Sequence, residues 1–519
     1  MKFERSSGVL LHPTSLPGPF GSGDLGAAAY HFIDWLTVAG QKLWQMLPLG
    51  PAGMGDSPYM CLSAFAGEAL LIDLQELVTR GWLPQSEVQN LPNFSPSKVH
   101  FGNVRNFRMT KLKIAANNFF AKNDKKEMED FQSFCKKQKS WLEDYTLFMA
   151  LIGKYNGAEW STWDKELVKR KPAALKNART ELVNDVRFWE FTQWCFFRQW
   201  HALKKYANDR NIKIVGDIPI FIAYQSSDTW ANQHLFHLDK NLKPKVVAGV
   251  PPDYFSVTGQ RWGNPLYDWK AMHEENYSWW IERIETTLEL VDLVRIDHFR
   301  GFAGYWEIPA EEKTAVKGRW VKGPGAKLFD AIEKKLGKLP IIAEDLGEIT
   351  PDVIELRDRY QFPGMRILQF AFAGDTKNNF LPHNYISNTV VYSGTHDNDT
   401  TVGWFKSATE REREFVKKYI GTDGKEVSWD FIRLASQSVA DMAIFPFQDV
   451  LALGNEARMN LPGQALGNWG WRFSWDQVQS WHALRLYEIS ALTNRAKADR
   501  LSLPAYPTGK VQPNNNSHE

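Results

Sequence analysis

Residues 291–300 read Val-Asp-Leu-Val-Arg-Ile-Asp-His-Phe-Arg, a run in which β-forming residues carry a charged pair. Val291, Leu293, Val294 and Ile296 predict a strand over 291–299. Alternate side chains share one face of a strand. Arg295, Asp297 and Phe299 are therefore expected on one face, and Val294, Ile296 and His298 on the other. Taken alone, Arg295 and Asp297 read as a salt bridge at an exposed strand end. The rest of the chain decides whether they are more.

Upstream, 213–221 (KIVGDIPIF) is an apolar run interrupted by Asp217. Strands are also expected at 8–12 and 43–47, around a helix over 26–39 that has Asp24 as its N-cap and Gly40 as its stop. Two strands separated by a helix argue for parallel pairing. Downstream, strands are expected at 339–346 (LPIIAEDL), 365–370, 389–393 and 442–447, with helices between most of them. Eight strands alternating with helices predict a closed (β/α)8 barrel, one catalytic unit spanning 1–519. Residues 68–208 break the alternation. Met109, Leu112, Ala116 and Phe119 recur there at helical spacing, so a mainly helical insertion between strands two and three is expected. Residues 222–270 are expected to form an irregular loop subdomain lining the active site, densest in Gly, Pro and aromatics over 250–269. A last helix is expected over 475–495 and a loose tail from Pro507.

Composition narrows the function. Lys and Arg total 62 against 60 Asp and Glu in 519 residues, a net charge of +2 that offers no footing for nucleic acid or an anionic membrane. The first twenty residues lack the apolar core of a signal peptide, and no run is long enough to span a bilayer. Three scattered cysteines, Cys61, Cys135 and Cys195, suggest neither a disulfide framework nor a zinc knuckle, so a cytoplasmic setting is expected. The 22 Trp, 16 Tyr and 32 Phe must mostly be core, though some could serve as platforms for sugar rings.

The acids fall at strand ends. Asp217 lies in strand three, Asp297 ends strand four, Glu344 ends strand five, and Asp397 follows strand seven. A barrel gathers these ends at one mouth. Carboxylates crowded there raise one another's pKa, a poor arrangement for stability and a useful one for chemistry. Such a set either binds a divalent metal or cleaves a glycosidic bond. The zinc-like string from His273 has Tyr277 where a second histidine is needed, and the glycines of 318–323 are followed by Pro324 rather than the lysine of a phosphate loop. Glycosidic chemistry fits better, with one acid protonating the leaving oxygen and an ionised one at the anomeric carbon. Arg295 would hold Asp297 charged.

VRIDHF (294–299), AEDLG (343–347) and SGTHDND (393–399) resemble three short regions of the α-amylase superfamily. Together with HPTSLPGPFGSGDLG, GDSPYMCLSAFAG, VGDIPIF and PPDYFSVTGQRWGNPLY, they resemble the amylomaltases, or disproportionating enzymes, over almost the whole chain. The resemblance implies a 4-α-glucanotransferase that moves α-1,4-glucan segments to the 4-hydroxyl of a glucan or glucose through a covalent glucosyl-enzyme. A glucan hydrolase and a non-catalytic glycan-binding barrel are the alternatives. It further implies Asp297 as nucleophile, Glu344 as acid/base and Asp397 as transition-state stabiliser. Tyr59, Asp217, Gln260, Trp262, Arg295, His396 and Asn468 are implied as substrate contacts, with no metal or cofactor. Ile222 stands where most amylases have a histidine, a loss the amylomaltases share. His298, on the opposite face from Asp297, is expected to pack.

Overall fold

The computed structural model describes residues 3–252 and 256–499. Asp253, Tyr254 and Phe255 of the loop expected at 250–269, and the tail expected from Pro507, lie outside them.

Eight parallel strands form a barrel. In chain order they are Ser6–Leu10, Leu43–Gln45, Lys213–Pro219, Leu293–Asp297, Ile341–Ala343, Gly364–Ile367, Thr389–Tyr392 and Met442–Pro446, and each lies beside the next. Strand eight pairs back onto strand one, with Ser6 opposite Met442. At the seam between strands five and six a side chain assists the ladder. The Ala343 N–H donates to Pro363 O at 2.9 Å, and the Asp345 carboxylate accepts the Met365 N–H at 2.6 Å while pairing with Arg357. Nearly every barrel residue is buried, as expected of strands covered by helices on the outside and filled by side chains within.

Strand four ends sooner than its β-formers suggest. His298 takes a left-handed φ of +52°, and Phe299 opens a 3-10 turn, Phe299–Phe302, in which its ring is fully buried. Alternation therefore stops at Asp297, and Phe299 does not share its face.

Between strands two and three run the helices Phe101–Lys122, Lys125–Lys137, Lys139–Lys154 and Val183–Asn208, among shorter ones. They meet through an aromatic cluster in which Phe119 stands 5.0 Å from Trp194 and 5.1 Å from Trp82. Within 222–270 the chain is more regular than its composition predicts. Val246–Val250 and Gln260–Pro265 join Gly304–Pro309 and Arg319–Lys322 in a four-stranded antiparallel sheet. These strands are short, rich in Gly and Pro and interrupted by a register shift, which hides their two-residue period.

Strands one and two leave no room for a side chain at Gly8, where an added Cβ would lie 2.4 Å from both the carbonyl oxygen and the Cβ of Leu43. Gly8→Ala must push two barrel strands apart, an overpacking cost of about 1–3 kcal/mol. Thermal unfolding of that variant is expected at a clearly lower midpoint than the parent; an unchanged midpoint contradicts this packing.

Candidate active site

Strand register places the central pair. Asp217 on strand three lies directly opposite Arg295 on strand four, so both side chains enter the barrel at one level. Arg295 Nη1 donates to both Asp217 oxygens, at 2.8 and 2.6 Å, and its Nη2 donates to Asp297 Oδ1 at 3.0 Å. The Asp217 carboxylate is fully enclosed, whereas 31% of the Asp297 side chain faces the mouth. Burial opposes the Arg295 charge, but the two aspartates more than offset it and keep the guanidinium protonated. An ion pair this deep is sustained only when its hydrogen bonds are complete.

Tyr59, on the loop after strand two, donates its hydroxyl to Asp217 Oδ2 at 2.8 Å. Burial and the Asp217 charge push its pKa up, so it stays a donor. Its ring lies almost parallel to that of His396, with centroids 5.2 Å apart, and 5.8 Å from that of Trp469. His396 and Asp397 sit on the loop after strand seven. Asp449, fully buried, moors that loop by accepting from the Ser393 hydroxyl, the Thr401 hydroxyl and the Thr401 N–H at 2.6–2.7 Å. Asn460 donates to Asp397 Oδ1 at 2.7 Å, and Arg458 to the Asp397 carbonyl at 2.7 Å.

Glu344 follows strand five. Its Oε2 accepts the His298 N–H at 2.7 Å and its Oε1 accepts the Leu346 N–H at 2.8 Å, which fixes the carboxyl plane. Burial first, then the nearby charge of Asp297, raises its pKa to about 8 against the pull of Arg295 and these two N–H groups. Asp297 is raised less, to about 6, by burial, because Arg295 pulls against the push of Asp217 and Asp397. The site thus sets a strongly raised Glu344 beside a less raised Asp297, the separation that acid/base chemistry uses.

Seven of the residues implicated by sequence converge here: Tyr59, Asp217, Arg295, Asp297, Glu344, His396 and Asp397. Trp262 reaches the site through His298, its ring standing edge-on at 4.8 Å, and Gln260 accepts from Trp262 Nε1 at 3.1 Å. Asn468 is occupied by its own loop, accepting from Leu461 N and donating to the carbonyls of Leu461 and Gln464. His298 does pack against Trp262, yet its main chain also serves the site by binding Glu344. Asn460, Arg458, Trp469 and Asp449 escaped the sequence reading. Two of them had a local cue: Trp469 lies in the aromatic segment 467–472, and Asp449, three residues past strand eight, is a strand-end acid like Asp397; Asn460 and Arg458 have neither. Among the described residues, no group of three or more His, Cys, Asp or Glu is disposed to hold a metal ion.

A family profile described as 4-alpha-glucanotransferase matches residues 11–478. The 4-alpha-glucanotransferase of Thermus thermophilus is 51% identical over 503 residues, 95% of this chain and 100% of that one. The 4-alpha-glucanotransferase of Synechocystis is 50% identical over 496 residues, covering 95% and 98%. The amylomaltase of Streptococcus agalactiae, solved in complex with acarbose, superposes with a TM-score of 0.93 at 38% identity, covering 95% of this chain and 100% of that one. By profile, sequence and fold alike, the chain belongs to the 4-alpha-glucanotransferase family.

Proposed function

We propose that this site transfers α-1,4-glucan segments by double displacement, with Asp297 as nucleophile and Glu344 as acid and then base. The observation that carries this reading is the geometry of the two carboxyls, Asp297 open to the mouth with Arg295 Nη2 on its Oδ1 at 3.0 Å and Glu344 enclosed with both oxygens held by main-chain N–H groups. Asp297, ionised beside Arg295, attacks the anomeric carbon as Glu344 passes its proton to the departing 4-oxygen. The donor chain is then held as a glucosyl ester on Asp297. Glu344, now ionised, takes the proton from the 4-hydroxyl of an incoming glucan or glucose, whose oxygen attacks the anomeric carbon, breaks its bond to Asp297 and frees that carboxylate, restoring the α-linkage. Attack from opposite faces in the two steps retains the anomeric configuration.

Asp397, oriented by Asn460 and lying 3.4 Å from His396 Nε2, supplies the negative charge that steadies the cation-like transition state. Tyr59, stacked on His396, offers a ring face to the sugar at the cleavage point. Trp262 and Gln260, at the rim, contact the glucan. Asn468 acts through the shape of the 461–468 loop. The substrates are α-1,4-glucans such as maltooligosaccharides and amylose, with glucose as the smallest acceptor. A cytoplasmic setting agrees with three unpaired thiols and with the absence, among the described residues, of a helix long and apolar enough to cross a membrane.

Incubation with maltotriose tests transfer: longer and shorter glucans should accumulate with no net gain of reducing ends. A steady gain of reducing ends without longer products would instead mark a hydrolase. Glu344→Gln should lower turnover about 10²- to 10⁴-fold, the usual worth of a positioned acid/base. Asp297→Asn should abolish turnover while glucan binding, measured by calorimetry, persists in both variants. The pH profile follows from the two raised carboxyls. Asp297 must be ionised, so kcat/KM should rise as pH climbs through about 6; Glu344 must be protonated, so it should fall as pH passes about 8. A flat profile across that range contradicts the assignment.

A further inference from the structure

The Arg295 guanidinium has one more enclosed partner. Its Nε lies 3.4 Å from the Sδ of Met365, a fully buried residue on barrel strand six (Gly364–Ile367). With Nη1 on Asp217 and Nη2 on Asp297, this contact engages the remaining edge of the fork. We propose that Met365 is a positioning residue for the transfer reaction, holding Arg295 so that its Nη2 stays on Asp297. The proposal rests on the reading of Asp297 as nucleophile.

The chemistry at position 365 is selective. An apolar side chain would leave the Arg295 Nε–H buried without an acceptor, and the rigid fork free to tilt off Asp297. A carboxylate would satisfy Nε but bring another anion beside Asp217, Asp297, Glu344 and Asp397, and draw on the charge that Asp297 needs. A thioether accepts weakly and carries no charge, so it engages the Nε–H without competing for the cation. The main chain prepares the sulfur for this. Met365 N donates to Asp345 Oδ1 at 2.6 Å and its carbonyl accepts from Arg366 at 2.7 Å, which fixes the residue where the barrel closes. The other groups that bear on Asp297 are Tyr59 and Asp217 from strands two and three, Glu344 from strand five, and His396 and Asp397 from strand seven.

Met365→Leu conserves volume and removes the acceptor; Met365→Gln supplies a neutral acceptor of similar length. Each is assayed on maltotriose for kcat, KM and the acid limb of kcat/KM. Met365→Leu should lose about tenfold in kcat with KM little changed, the scale of one hydrogen bond to a charged group. Its acid limb should move to higher pH, because an Asp297 less firmly held by Arg295 ionises later. Met365→Gln should regain most of the rate and the parent limb. A Met365→Leu enzyme with the parent rate and limb overturns the proposal, as does a Met365→Gln enzyme no better than Met365→Leu. Asp297→Asn in the same assay separates the two readings. Retained turnover there overturns the nucleophile assignment and this proposal with it; lost turnover there beside an unaffected Met365→Leu overturns this proposal alone.

Discussion

The site depends on one buried guanidinium shared between two carboxylates. Arg295 takes its bidentate pair with Asp217 from the register of strands three and four, and its remaining Nη reaches Asp297 two residues along its own strand. Asp217 in turn holds Tyr59, and the Tyr59 ring lies on His396, beside Asp397. The polar contacts thus run from Tyr59 through Asp217 and one cation to Asp297, and the Tyr59 ring carries the link on to the strand-seven loop. Without it, Asp297 would lose the cation on its Oδ1, and the enclosed Asp217 carboxylate would lose its ion pair, the costly case for a buried ion.

That arrangement explains why two neighbouring acids differ. Both are raised by burial, but Asp297 has Arg295 at 3.0 Å and an opening to solvent, while Glu344 faces the charge of Asp297, which outweighs the downward pull of its two main-chain N–H partners. One N–H comes from His298, whose left-handed turn ends strand four immediately after the nucleophile. The turn that ends the strand therefore also orients the acid, and the strain of a non-glycine residue at positive φ falls where the chemistry gains from it.

The barrel was readable from sequence because its strands are buried on both faces and stand out as apolar runs separated by helical periodicity, and because acids at their ends interrupt those runs visibly. Asp217, Asp297, Glu344 and Asp397 were found in this way. What stayed hidden lacks such contrast. The antiparallel sheet that carries Gln260 and Trp262 is built of short strands such as QRWGNP, whose Gly and Pro mimic loop. The stop after Asp297 depends on a φ angle that no residue type announces at histidine. Asn460 and Arg458 reach Asp397 across more than sixty positions from a loop without a local pattern. Asn468, implied as a substrate contact by the resemblance, bonds within its own loop, so the resemblance located the segment without revealing the side chain's task.

The most direct measurement is capture of the ester that the ionised Asp297 should form. Glu344→Gln is mixed with an α-maltotriosyl fluoride, whose leaving group needs no proton, and the intact protein is weighed before peptide mapping. A maltotriosyl adduct that accumulates and maps to Asp297 is the expected result. An adduct on another residue, or release of a β-configured product with no adduct, would contradict it.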